Sequence, residues 1–230
     1  MARAGEEIYN PIIQDRVVFL KTARDTNGAL LRGELFLSPH GGNPMHVHPH
    51  QEEYFKVLSG TFDVQVGDEQ RSLAEGEEAL VPPTTPHRFF NFNDTGEEAH
   101  VLTELRPALS SEIWLETLYG LARDGKTDEN GVPNLLQIAV MLTGINKDEI
   151  YPISPPIPVQ KVLLPVLAPV GRVLGYKDHY AKYSAAEDPE AGESGPPSTM
   201  RVMVGGGAMV ASLLVASLFL VGRVRRLSKG

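Results

Sequence analysis

The pattern of hydrophobic and polar positions changes period once along the chain. From about Arg32 to Arg106 it is that of short strands. "ELFLS", "EEYFKVLSG", "TFDVQVGDEQ", "EEALVPP" and "HRFFNFN" are β-rich runs parted by Gly, Asp, Asn and Pro. In "TFDVQVGD" the alternation is clean: Phe62, Val64 and Val66 face one way, Asp63 and Gln65 the other. Gly60 and Gly67-Asp68 punctuate the hairpins. Many short strands with no helix between them predict a mainly-β unit, a small antiparallel barrel or sandwich.

After Arg106 the period becomes helical. "SSEIWLETLYGLAR" places Ile113, Trp114, Leu118, Tyr119 and Leu121 on one stripe, with Ser110 or Ser111 as N-cap. "VPNLLQIAVMLTG" predicts a second helix opened near Pro133 and closed by Gly144. "PPIPVQKVLLPVLAPVGRVLGY" is apolar but interrupted by Pro165 and Pro169, which predicts a kinked, buried or interfacial helix. No internal repeat is present.

From Val202 to Gly222 the chain runs 21 residues without a charge. At about 1.5 Å per residue such a helix covers roughly the 30 Å of a bilayer core. The acidic, Pro/Gly/Ser-rich stretch "AAEDPEAGESGPPST" ahead of it is unsuited to packing it back onto a domain. The expected organisation is an N-terminal segment and barrel entry over 1–31, a β-barrel over 32–106 and a helical extension over 107–183. A linker over 184–200, a single transmembrane helix over 201–222 and a basic tail over 223–230 complete it. The basic tail favours a barrel outside the cell by the positive-inside tendency. "MARAGEEIYN", however, shows no apolar run of a secretory signal, so the expectation is a C-terminal anchor with a cytoplasmic barrel.

Composition narrows the chemistry. The 230-residue chain has no cysteine, which removes disulfides, thiolate metal sites and a cysteine nucleophile. The net charge is −8, yet the last thirty residues carry +5 from Arg201, Arg223, Arg225, Arg226 and Lys229. Residues 1–200 therefore carry −13, which argues against nucleic acid as a partner.

The chemistry concentrates in "PMHVHPHQEEYFKVLSG". On a strand His46 and His48 project to one face, and Pro49 turns the chain. A hairpin that returns Glu53 beside them gathers two imidazoles and a carboxylate, ligands suited to Fe(II), Mn(II), Ni(II), Zn(II) or Cu(II). His87 follows on a later strand in "GEEALVPPTTPHRFFN". Together the two stretches resemble the cupin superfamily. Its first motif, G(X)5HxH(X)3,4E(X)6G, is matched from His46 through His48 and Glu53 to Gly60. Its second, G(X)5PxG(X)2H(X)3N, is matched by Gly76, Pro82, His87 and Asn91. There are two departures: four residues instead of five stand between Gly41 and His46, and Thr84 stands where the second motif has glycine.

The resemblance covers about a third of the chain and implies a double-stranded β-helix barrel holding a divalent transition metal through His46, His48, Glu53 and His87. His50 reads as a surface or rim residue and Glu52 as solvated. Phe55 and Phe89 read as barrel packing, and His40, His100 and His179 as structural. Cupins include dioxygenases, isomerases, decarboxylases and hydrolases as well as plain ligand binders. The chain has no G-x-S-x-G, phosphate loop or nucleotide fingerprint, so any catalysis is expected to run through the metal. Two functions follow: a membrane-anchored metal-dependent oxygenase or isomerase acting on a small organic molecule, or a non-catalytic small-molecule-binding module with a structural metal. The apolar helices beyond one small barrel predict a homodimer.

Overall fold

In the computed structural model, which describes residues 2–94 and 96–184, the β-rich runs form two antiparallel sheets. The strands are β1 (Glu7–Asn10), β2 (Asp15–Lys21), β3 (Leu31–Leu37), β4 (His46–Val47), β5 (Glu52–Ser59) and β6 (Phe62–Val66). They continue with β7 (Glu69–Leu73), β8 (Glu78–Val81), β9 (His87–Phe90), β10 (Ala99–Arg106) and β11 (Tyr151–Pro152). One sheet has the order β1-β2-β3-β10-β5-β8 and the other β11-β4-β9-β6-β7. The barrel thus recruits β1 and β2, which precede Arg32, and β11, which comes from the helical extension.

Alternation decides what each strand buries. Leu31, Gly33, Leu35 and Leu37 of β3 and Glu53, Phe55 and Val57 of β5 turn inward. Phe62 and Val64 face them from β6. Phe55, Phe62 and Phe89 meet as an aromatic triple with ring centroids 5.2–5.9 Å apart. Each such side chain contributes roughly 1.5–3 kcal/mol by leaving water. The β5–β6 turn needs Gly60: its φ is 78°, and a Cβ there would sit 2.6 Å from the Glu98 carbonyl oxygen. Across the first sheet, Arg32 and Arg106 both ion-pair with the buried Glu104 carboxylate, and Arg106 also reaches Glu52.

Among the described residues three α-helices follow, α1 (Ser111–Arg123), α2 (Leu135–Thr143) and α3 (Ile157–Val173), and then a short 3-10 turn at Ala181–Tyr183. Asn134 caps α2, accepting from the Leu136 and Gln137 amides. Ser110 precedes α1 without a side-chain cap, its hydroxyl donating instead to the Ile145 carbonyl. The apolar stripe predicted for α1 is only part of its inner face. Tyr119 and Leu121 are buried, but Ile113, Trp114 and Leu118 are half-buried, and Glu112 and Glu116 lie inside. Both carboxylates have donors there, Ala23 N–H for Glu112 and the Ser184 hydroxyl for Glu116. Helix α3 runs through Pro165 and Pro169 and packs Leu164, Ala168 and Gly171 toward α2. A Cβ on Gly171 would lie 2.7 Å from Val140 Cγ2, so glycine permits the approach. Among the described residues no helix is long and apolar enough to cross a membrane, and the span expected over 201–222 lies outside them.

Candidate metal centre

The two sheets bring His46, His48, Glu53 and His87 together. His46 pairs directly across from His87 in the β4–β9 register, and His48 follows β4 by one residue. Glu53 arrives from β5 in the opposite sheet, at the inward parity of Phe55 and Val57. Each residue offers a ligand atom within 4.8 Å of the others, and all four side chains are buried. His50 is exposed in the turn, and Glu52 pairs with Arg106 on the outer side. His100 stacks on Phe36 and pairs with Glu34, His40 is exposed, and His179 lies beside Asp178, so none of them joins the cluster.

Ring orientation is fixed from behind. His46 Nδ1 lies 3.0 Å from the Pro44 carbonyl oxygen, His48 Nδ1 3.0 Å from that of Glu149 and His87 Nδ1 2.9 Å from that of Thr85. A carbonyl only accepts, so each Nδ1 carries the proton and donates. Nε2 is left as the ligating nitrogen of each ring, with the outer hydrogen bond that metal-binding histidines use. His48 Nε2 and His87 Nε2 stand 3.8 and 2.8 Å from Glu53 Oε2. Two ligands at about 2.1 Å from one ion lie at most roughly 4.2 Å apart, so the cluster needs to close by only a few tenths of an ångström. Three imidazoles, one carboxylate and preset rings fit a divalent transition metal.

The electrostatics agree. Burial holds the His46 imidazole well below its ordinary value, with the charges of His87 and His48 adding. Burial likewise lowers His48, against the pull of Glu53. For His87, burial acts downward but the hydrogen bond and charge of Glu53 outweigh it, and the group is raised. Glu53 is lowered, because His87 and His48 outweigh the upward push of burial. His46 and His48 are thus held toward the neutral form that ligates, and His87 beside Glu53 is the imidazole of the site that holds a proton most tightly.

The two departures from the motif now have a physical reading. His40, the residue five places clear of His46 where the motif carries glycine, has φ 64°, and Thr84 has φ 65°. Both backbone turns therefore keep the left-handed conformation that glycine adopts freely, with other residues strained into it. Thr84 N–H donates to the His48 carbonyl at 2.8 Å, so the turn is tied to a ligand strand.

The helical extension contributes more than the sequence reading assigned it. Besides the Glu149 carbonyl behind His48, β11 pairs Tyr151 with Val47 and Pro152 with His46. The Glu149 carboxylate accepts from Ser110 N–H, and Asn146 donates to the Ser110 carbonyl. No sequence signal points to a carbonyl contact from 101 residues away. Gln51 had one, because it continues the inward parity of Glu53 and Phe55. It is buried, and its amide donates to the Pro107 and Ala108 carbonyls and to Ser111 Oγ.

Residues 33–103 match the family model described as "Cupin domain". Over these residues, about a third of the chain, the barrel is similar to a cupin domain. Among curated relatives of the whole chain, "Probable oxidoreductase patJ" of Aspergillus clavatus is 28% identical over 167 residues, 67% of this chain and 51% of that protein. "Protein SchB" of Streptomyces halstedii is 37% identical over 62 residues, 27% of this chain and 44% of that protein. "Probable oxidoreductase virH" of Hypocrea virens is 28% identical over 153 residues, 62% of this chain and 68% of that protein. The chain spans about half the length of the first two. The cupin match lies inside the barrel, and the fungal alignments extend beyond it.

Proposed function

We propose that this cupin is a metal-dependent oxidoreductase that acts on a small, partly apolar organic molecule, with an isomerase as the nearest reaction class. The carrying observation is the cluster of His46, His48, Glu53 and His87 with every histidine Nδ1 tied to a backbone carbonyl. The oxidoreductase class is supported by the names of the patJ and virH relatives. Bound by these four residues, iron, manganese, nickel, zinc or copper supplies Lewis acidity, and the redox-active members supply electron transfer. The chain's own residues orient and shield the site. The Pro44, Glu149 and Thr85 carbonyls hold the rings, and the Phe55–Phe62–Phe89 triple contributes to the apolar core. The proton that the His87–Glu53 pair shares at Nε2 would have to leave for that nitrogen to ligate.

A second reading, a binding module with a structural metal, is favoured by how closed the ligands are, with His87 only 1% exposed. Metal analysis followed by oxygen uptake with a panel of small organic molecules separates them. Turnover that is lost on His48→Ala supports the enzyme; a metal that resists exchange and a panel without turnover would establish the module. We further place residues 201–222 as a membrane anchor with the barrel on the cytoplasmic side, and the protein as a homodimer. Protease protection of sealed vesicles tests the first and light scattering the second.

A further inference from the structure

Among the described residues, one face of α3 is uncovered. Val159, Val162, Val166, Val170 and Val173 are 49–87% exposed, and Leu174 beyond the helix end is 55% exposed. At 100° per residue the five valines fall within an arc of about 80°, one straight stripe along a helix of 17 residues. The opposite side, Gln160, Leu164, Ala168 and Gly171, is the buried one. The exposed side is therefore apolar where a solvated helix would be polar.

Charge points to what covers it. From Ile150 to Lys177 there is no acidic residue, in a chain whose first 200 residues carry −13. The charges in that stretch are Lys161, Arg172 and Lys177, and Lys161 also reaches Asp148 at 3.5 Å. An acid-free helix with an exposed apolar stripe suits a lipid surface; Lys161 and Arg172 lie roughly 120–140° around the helix from the centre of the stripe, so apolar contact without acidic repulsion carries the fit. The uncharged segment 202–222 begins 18 residues after Ser184. A coil of that length reaches roughly 25 Å, so an anchor at 202–222 holds the domain against the bilayer at high effective concentration.

We propose that the valine stripe of α3 docks on the surface of the bilayer that the C-terminal segment anchors. The proposal rests on the reading of residues 202–222 as that anchor. Valine inserts weakly alone, and the tether makes up the difference. Gln160 fixes the orientation of α3, donating to the Pro152 and Pro155 carbonyls, so docking sets how β11 and its partner strand β4 stand over the membrane.

The absence of cysteine allows a direct test on the full chain. Val162→Cys, Val166→Cys and, as an exposed barrel control, Glu75→Cys are each labelled with an environment-sensitive fluorophore. The proteins are reconstituted in phosphatidylcholine–phosphatidylglycerol vesicles with and without a nitroxide-bearing lipid. The expected result is at least twofold stronger quenching at positions 162 and 166 than at 75. A chain that floats with the vesicles while 162 and 166 stay as unquenched as 75 overturns the docking and leaves the anchor standing. A chain that does not float overturns both. Shielding without lipid quenching also overturns it: disulfide-linked dimers through Val166→Cys then identify a second copy as occupant, and their absence identifies the chain's own C-terminal segment.

Discussion

Asp15 offers a large pH-dependent effect in the barrel. It sits at the start of β2, 1% exposed, and Tyr119 of α1 donates its hydroxyl to Asp15 Oδ2. Its other oxygen has no partner. Burial pushes the carboxyl up to about 7 from its ordinary 3.8, against the hydrogen bond from Tyr119. The folded protein therefore binds a proton more tightly than the unfolded chain. Between those two values stability falls as pH rises, and below 3.8 the contribution is fully present. At 1.36 kcal/mol per pH unit, a difference of about three units is worth about 4 kcal/mol. Asp15→Asn keeps the shape and an acceptor for Tyr119 but cannot ionise. Urea unfolding at pH 4.5, 6 and 8 should show the variant gaining on the wild type as pH rises, by up to about 4 kcal/mol. Parallel stability profiles for the two proteins would refute the reasoning, as would a carboxyl that titrates near 4 by NMR.

Three further outcomes are expected. Thr84→Gly should raise stability by about 1 kcal/mol in the same unfolding assay, because it relieves φ 65° at an exposed side chain and keeps the amide that donates to His48. Metal affinity, measured by competition with a chelator, should fall as pH drops through neutrality. The proton held on His87 by Glu53 competes with the ion, whereas His46 and His48, both lowered, do not. Gly120→Ala should cost about 1–3 kcal/mol and expose the Tyr183 ring to iodination, since a Cβ there would lie 2.1 Å from that ring.

The barrel was legible wherever one face of a strand is buried. Period 2 in "TFDVQVGD" and "EEYFKVL" locates β6 and β5 and also turns Glu53 inward. The four clustered residues were legible because ligand spacing on strands is local and survives in the sequence. β1 and β2 were less so: "EIYNPIIQDRVVFLK" pairs by its register to β3, which no local period announces. The α1 stripe misled because Glu112 and Glu116 are buried with donors from Ala23 and Ser184, contacts 89 and 68 residues distant. The hold of the extension on His48 is a backbone carbonyl, which has no residue code at all. Segment 202–222 rests on composition alone.

The most direct measurement is the metal content of the purified full chain beside the His48→Ala/His87→Ala double variant, by elemental analysis at pH 7.5. The expected result is about one divalent transition metal per chain in the wild type and none in the variant, with the circular dichroism of the barrel retained. Equal metal in a folded double variant, or a wild type that binds none of iron, manganese, nickel, zinc or copper when each is supplied, would contradict it.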